Sequence, residues 1–72
     1  MKAIERAVDH VGGQTNLAKL LKTSQARVWN WIHRDNKVPA EEAVSIERVT
    51  KGKVTRFEIR PDVFGEPPKN AA

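Results

Sequence analysis

The amide side chains at positions 25 and 30 give this sequence its most distinctive chemistry. Each amide can donate and accept a hydrogen bond at the edge of an adenine, and the methyl group of Ala26 can touch a thymine methyl group. On a helix of about 3.6 residues per turn these side chains share one face, so the candidate base-contacting residues are Gln25, Ala26, Trp29, Asn30 and His33. A solvated helix face is the alternative. For Trp29, packing on a sugar or on a neighbouring helix is an equal alternative to base contact.

A second set of side chains suits the phosphate backbone, which positions a protein on DNA without reading its sequence. The net charge of +4 lies entirely between Gln14 and Pro39, where five basic residues accompany one acidic residue. Such a local excess is typical of a phosphate-backbone binder, although an ordinary solvated charged face is the alternative. The candidate phosphate-contacting residues are Gln14, Lys19, Lys22, Ser24, Arg27, Arg34 and Lys37.

These side chains need two short helices to position them. One apolar stripe comprises Leu17, Ala18, Leu20 and Leu21, and a second comprises Val28, Trp31 and Ile32. Both have the spacing of a helix with one buried face. The polar residues between the stripes predict a turn, after which Ser24 can act as N-cap of the second helix. Residues 14–32 therefore predict a helix-turn-helix whose second helix leaves its outer face free for a major groove.

The remainder of the chain predicts further helices that support this unit. A first helix has the apolar stripe Ile4, Ala7, Val8 and Val11 and ends at Gly12-Gly13, after which Gln14 opens the second helix. Pro39 suits the first turn of a fourth helix, which buries Ala43, Ile46 and Val49 and closes at Gly52.

Residues 53–60 predict a short fifth helix in preference to a β-strand. Thr55-Arg56-Phe57-Glu58 fits a capping box, and Val54 with Ile59 fits the hydrophobic staple around it. We therefore expect an all-α fold, a compact five-helix domain over residues 1–64. A disordered C-terminal tail over residues 65–72 follows, because that segment lacks apolar anchors.

Two groups of residues resemble a known class of proteins. Gln14-Thr15, Ala18, Leu21, Gln25, Val28 and Ile32-His33 resemble the helix-turn-helix of the phage Cro and CI repressors. The downstream residues resemble the small Cro-like regulators of prophages and integrated elements, which include the YdaS-type antitoxin-like regulators. They are Pro39-Ala40-Glu41, Ile46-Glu47, Thr50, Gly52-Lys53-Val54-Thr55 and Ile59-Arg60-Pro61-Asp62. The resemblance covers residues 1–64. Many of these motifs carry Gly where this chain has Lys22, so Lys22 is expected to need a left-handed or adjusted backbone.

Length and composition argue against several other functions. A chain of 72 residues forms one domain without room for a deep cleft between lobes. There is no cysteine, which excludes disulfides, a thiolate nucleophile and the usual zinc finger. Nothing resembles a signal peptide or a membrane span, so we expect a soluble cytoplasmic protein. His10 and His33 lack companions for a metal site, and Ser24 and Ser45 lack a catalytic base; we expect no cofactor, no metal and no enzymatic activity.

The sequence therefore predicts a regulator that binds double-stranded DNA and represses or switches transcription, from a prophage or mobile element. We expect a weak homodimer that tightens on a palindromic operator, because one recognition helix reads too few base pairs. Phe57, Val63 and Phe64 are the candidate dimer contacts, unless these aromatics cover the domain's own core. The alternative function is an antitoxin-like module that binds a toxin or another regulator through Phe57, Ile59, Val63 and Phe64.

Overall fold

Six helices form the regular secondary structure in the computed structural model, which describes residues 2–67. They are α1 (Ala3–Val11), α2 (Gln14–Leu21), α3 (Gln25–His33), α4 (Ala40–Val49), α5 (Arg56–Ile59) and α6 (Pro61–Phe64). The predicted all-α fold is confirmed, and α6 is an additional single turn that the sequence analysis did not predict. Most of the predicted disordered tail, residues 68–72, lies outside the described residues.

The helix α1 supplies one wall of the core and ends as its sequence predicts. Ile4 and Ala7 are buried, while Val8 and Val11 pack against the same cluster. Gly12 then adopts a left-handed conformation with φ of 92° and donates its N–H to the carbonyl of Val8 at 3.1 Å. This conformation is costly for a residue with a Cβ, which explains the glycine at the point where the chain turns into α2.

The helix-turn-helix is built by α2 packing on α3. Leu17 and Ala18 of α2 are buried in the same cluster as three residues of α3, which are Val28, Trp31 and Ile32. The predicted inward direction of Trp31 is confirmed, since only 4% of its surface is exposed. The prediction for Leu20 is wrong, since it is 49% exposed. Ala18 and Leu21 lie on one side of Leu17, and Leu20 lies around the helix on the other.

The turn between α2 and α3 has the backbone that the sequence predicts. Lys22 ends α2 in the left-handed region, with φ of 59° and ψ of 42°. Its N–H and that of Thr23 donate to the carbonyls of Lys19 and Ala18, at 3.2 and 2.9 Å. Ser24 is the N-cap of α3, because its Oγ accepts the N–H of Arg27 at 3.2 Å. The turn is therefore tight although it has no glycine.

The helix α4 packs on α2 and ends in a second reversal. Pro39 is the N-cap rather than the first helical residue, and Ala43 and Ile46 are buried as predicted. Lys51 and Gly52 both have positive φ, 54° and 81°. Thr50 directly precedes them in the chain and is fully buried. The sequence analysis did not single out this residue.

A capping box starts α5, as predicted. Thr55 Oγ1 accepts the N–H of Glu58 at 3.2 Å, and Glu58 Oε2 accepts the N–H of Thr55 at 2.9 Å. The bond from the Thr55 backbone, opposed in part by desolvation, lowers the pKa of Glu58. Val54 is buried and Ile59 packs against the core, as the predicted staple requires. The segment is thus helical and not a strand.

Candidate nucleic-acid interface

The outer face of α3 carries all five candidate base-contacting residues. Because Val28, Trp31 and Ile32 are directed into the core, the opposite side of this helix is left without cover from the other elements. Four of the five candidates are exposed and Asn30 is half-buried: Gln25, Ala26, Trp29, Asn30 and His33. The structure therefore places these side chains on one continuous surface.

Gln14 and Gln25 are joined by a direct hydrogen bond. The Nε2 of Gln25 donates to Oε1 of Gln14 at 2.6 Å. This bond connects the first residue of α2 to the first residue of α3. It uses one donor of the Gln25 amide and leaves its Oε1 and its second N–H available. Gln25, a candidate base-contacting residue, is thus oriented by Gln14, a candidate phosphate-contacting residue.

Trp29 and His33 form an aromatic pair one helical turn apart on α3. Their ring centroids are 4.8 Å apart and the ring planes are tilted by 42°. His33 also lines a shallow cleft with Gln14 and with two carboxylates of α1, Glu5 and Asp9. Negative charge beside His33 disfavours a phosphate at that point. The geometry therefore favours a role for His33 beside the indole or a base.

On the other flank of α3 lies an open groove of about 420 Å³. It contains two candidate phosphate-contacting residues and one candidate base-contacting residue, which are Arg27, Lys37 and Asn30. The remaining lining residues are Trp31, Asp35, Pro39 and Arg60. Since Arg60 is paired with Asp62, the positive balance of the groove comes from Arg27 and Lys37 against Asp35, and this balance allows the groove to accept an anionic strand.

Arg60 is a groove residue that the sequence analysis missed. Its Nη1 donates to the carbonyl of Val38 at 2.8 Å, and its Nε and Nη2 hold the carboxylate of Asp62 at 2.9 Å each. These hydrogen bonds from Arg60 lower the pKa of Asp62 to about 2. Since all these donors are used within the protein, Arg60 fixes the segment that follows α3. The Arg-Pro-Asp run was visible in the sequence, but no spacing rule connects it to Val38.

Five basic candidates are distributed around the helix-turn-helix, and four of them are not paired with a carboxylate of residues 2–67. Among residues 2–67, Arg34 is the member of this set that lies near a carboxylate, 4.0 Å from Asp35 with both side chains exposed. Exposed pairs at this distance contribute little. No ion pair within these residues involves the other four basic candidates, Lys19, Lys22, Arg27 and Lys37.

Three basic residues outside the helix-turn-helix form ion pairs with carboxylates. Arg6 contacts Glu58 at 3.0 Å, Arg56 contacts Glu47 at 2.6 Å, and Arg60 contacts Asp62 at 2.9 Å. These pairs join or brace the supporting helices. Arg48, Lys51 and Lys53 make no ion pair within residues 2–67 either, so the positive excess around α3 follows from the charge balance of residues 14–39 and not from general pairing of the other basic residues.

Lys2 is a second residue that helps to hold α3 in place and that the sequence analysis missed. Its Nζ donates to the carbonyl of Ile32 at 2.8 Å and to Oδ1 of Asn36. A positive charge at the C-terminus of a helix interacts favourably with the unpaired carbonyls there. Lys2 therefore fixes the end of α3 from the other end of the sequence, which no local pattern could indicate.

The described part of the chain contains neither a cluster of metal-ligating side chains nor a membrane-spanning helix. Among residues 2–67, His, Asp and Glu side chains form no group of three that could hold a metal ion. None of the helices in that range has the length and apolar character required to cross a membrane.

A small helix-turn-helix with an exposed polar helix resembles the Cro-like small regulators. Comparison with known proteins agrees with this class. A family model described as "Bacterial toxin YdaS" matches residues 4–68. This chain belongs to the YdaS family.

Two similar proteins carry descriptive names. The chain is 41% identical over 61 residues to the "Putative transcriptional regulator YdaS" of Escherichia coli (strain K12), a match that covers 85% of this chain and 62% of that protein. The chain thus spans less than two thirds of the length of that relative. A solved structure of "the Cro protein from putative prophage element Xfaso 1" in Xylella fastidiosa strain Ann-1 is 45% identical. It matches with a TM-score of 0.87, covering 92% of this chain and 100% of that one.

Proposed function

We propose that this protein is a sequence-specific regulator of transcription that binds double-stranded DNA with α3 in the major groove, as a Cro-like repressor of a prophage or mobile element. The observation that carries the proposal is the exposed polar face of α3 between basic side chains, four of which make no ion pair within residues 2–67. The names of the similar proteins, a transcriptional regulator and a Cro protein, support it. No catalytic step and no cofactor are part of the proposal.

The residues divide into two roles. Gln25, Ala26, Trp29, Asn30 and His33 contact base edges from the outer face of α3. Gln14, Lys19, Lys22, Ser24, Arg27, Arg34 and Lys37 contact phosphates around it. Ser24 does so as an exposed N-cap, and backbone N–H groups at a helix N-terminus are ready donors for an anion.

The experiment is a selection of bound duplexes from a random library by the full chain, followed by titrations on the selected site and on a scrambled duplex. Asn30→Ala should lower affinity for the selected site by about 1–3 kcal/mol and change binding to the scrambled duplex little. Arg27→Ala should weaken both alike. Arg48→Ala is the matched control, since Arg48 is exposed in the last turn of α4 and lies outside the proposed interface.

Salt provides an independent measurement for the same proposal. The logarithm of affinity should fall linearly with the logarithm of salt concentration, with a slope of about 0.9 for each phosphate neutralised. The proposal would be contradicted if the protein bound no duplex at low salt, or if its affinity for every duplex were independent of salt concentration.

We further propose that two copies bind a palindromic operator. Their recognition helices would lie about 34 Å apart, which doubles the base contacts. The surface proposed for the contact comprises Phe57, Val63 and Phe64. Val63 is 51% exposed, and the two phenylalanine rings are half-buried and pack edge to face with centroids 6.5 Å apart. Such a small patch suits a weak dimer that tightens on DNA.

Sedimentation of the wild type and of Val63→Lys tests the dimer, each with and without the selected duplex. The wild type should bind as two copies per palindrome, and Val63→Lys should occupy single half-sites with lower affinity. A wild-type monomer that occupies isolated half-sites with full affinity would rule the dimer out.

A second candidate function makes protein binding primary, with a toxin or another regulator as partner. The observation that favours it is the same apolar surface together with the word toxin in the family's description. The two functions separate in one comparison. If the protein binds no duplex while Val63→Lys abolishes capture of a protein encoded beside it, the second function replaces the first.

A further inference from the structure

Trp29 is an anomaly on the surface of α3. Its neighbours on the outer face are polar or small, yet 47% of this indole is exposed. Trp31, two residues further on, is 4% exposed in the core. An indole is among the largest apolar side chains, and leaving half of it in water forgoes hydrophobic stabilisation that a bound partner would restore.

The indole is held in place by its own helix. The imidazole of His33 lies against it with centroids 4.8 Å apart, within the range in which aromatic rings attract one another. Because Trp29 and His33 are separated by one helical turn, a folded α3 places their side chains next to each other. His33 therefore covers one side of the indole, and the remaining surface is the part exposed to a partner.

The base edges of a major groove offer few apolar groups to such a surface. Adenine, guanine and cytosine present hydrogen-bond donors and acceptors there, whereas thymine adds its C5 methyl group. Gln25 precedes Trp29 by one turn, and its amide is held by Gln14 at 2.6 Å. Trp29 thus lies between two candidate base-contacting residues rather than among the basic ones.

We propose that Trp29, positioned by His33, contacts the C5 methyl group of a thymine and makes that thymine a required base in each half-site. This inference rests on the proposed function, because it needs α3 in the major groove. It assigns to Trp29 the role of a specificity-determining residue, and to His33, in addition to its proposed base contact, that of a positioning residue for Trp29.

The test replaces single thymines of the selected duplex by deoxyuridine, which pairs in the same way and lacks the methyl group. At one position per half-site, the substitution should weaken wild-type binding about fourfold. This factor corresponds to the loss of the contact that buries one methyl-sized group. Trp29→Gln should bind the thymine and uracil duplexes equally. His33→Ala should reduce the thymine-to-uracil ratio, which a purely structural role would leave unchanged.

Leu20→Gln is the matched control. Leu20 is 49% exposed, a fraction close to the 47% of Trp29, but it lies on α2. This variant should retain the wild-type preference for thymine. Circular dichroism of each variant confirms that the helices are intact.

Three results would overturn the inference. The first is a selected site without a required thymine. The second is that deoxyuridine lowers the affinity of the wild type and of Trp29→Gln by the same factor. The third is that Trp29→Gln lowers affinity for the selected and the scrambled duplex equally. The last result would mean that the indole packs on sugar or phosphate. If the wild type binds no duplex at all, the proposed function fails together with this inference, whereas the other outcomes leave the proposed function standing.

Discussion

Lys22 should limit the stability of the fold while serving the proposed interface, and the substitution Lys22→Gly separates the two roles. Lys22 occupies the left-handed region with φ of 59° and ψ of 42°. This conformation costs an L-residue roughly 1–2 kcal/mol. Glycine adopts it without that cost but loses about 0.5–1 kcal/mol more backbone entropy on folding. The variant should therefore gain about 0.5–1 kcal/mol of unfolding free energy.

The matched control is Lys51→Gly. Lys51 is also exposed, also left-handed with φ of 54°, and lies at the reversal after α4. Both variants remove one positive charge and relieve the same backbone conformation. Each should raise the melting temperature by roughly 2–8 °C, since 1 kcal/mol corresponds to about 4–8 °C in a domain of this size.

DNA binding should distinguish the two variants. Lys22 belongs to the proposed phosphate-contacting set and Lys51 does not. Lys22→Gly should lower affinity for every duplex and reduce the slope of log affinity against log salt by about 1. Lys51→Gly should leave that slope unchanged. Fluorescence anisotropy at several salt concentrations measures it, and thermal unfolding of the free proteins measures stability.

Two outcomes would refute this reasoning. Equal losses of slope in both variants would mean that overall charge, and not the position of Lys22, governs binding. A drop in stability for both variants would mean that the left-handed lysines make interactions whose loss outweighs the relief of backbone strain.

Further predictions concern the core and the acid range. Trp31→Ala should lower the unfolding free energy by about 3–5 kcal/mol in denaturant titrations, because it empties a buried aromatic position. Thr50→Val should cost about 1–3 kcal/mol and Thr50→Ser less, because Thr50 Oγ1 accepts the buried N–H of Val54 at 3.2 Å. Asp62→Asn should flatten the loss of stability in acid. The bonds from Arg60 lower the pKa of Asp62 from 3.8 to about 2, so their contribution is present above 3.8 and is lost as pH falls towards 2.

These expectations can fail separately. Full stability of Trp31→Ala would mean that α3 is rotated relative to the phase described above. A Thr50→Val variant as stable as the wild type would mean that the hydrogen bonds of Thr50 Oγ1 contribute little. Melting curves between pH 7 and 2 that coincide for the wild type and Asp62→Asn would show that other carboxylates govern the acid response.

Local periodicity made most of the fold predictable. The stripe of Val28, Trp31 and Ile32 fixed which side of α3 is buried, and the outer face followed from it. The caps at Ser24 and Thr55 also followed from local sequence, because each involves atoms three residues apart. Such features depend on a single turn of helix, so one sequence suffices to find them.

Features that join distant segments were not predictable. Lys2 reaches the carbonyl of Ile32 across thirty positions of the chain, and Arg60 reaches that of Val38 across twenty-two. The sequence shows both residues as ordinary surface charges. The prediction that Leu20 is buried was wrong for a different reason. An apolar stripe on an eight-residue helix leaves the edge of the buried face undetermined. The roles of individual side chains on DNA stay predictions.

Some basic residues of this small domain are held in ion pairs within the fold, and others have no carboxylate of residues 2–67 within ion-pair distance. Among the supporting helices, Arg6, Arg56 and Arg60 each meet a carboxylate and so contribute to the fold. Around α3 such partners are absent within residues 2–67, apart from the long contact of Arg34. The outer face of α3 can therefore change with little loss of stability, whereas Trp31 on its inner face cannot. If the proposed function holds, the binding preference of such a regulator can change while its core stays the same.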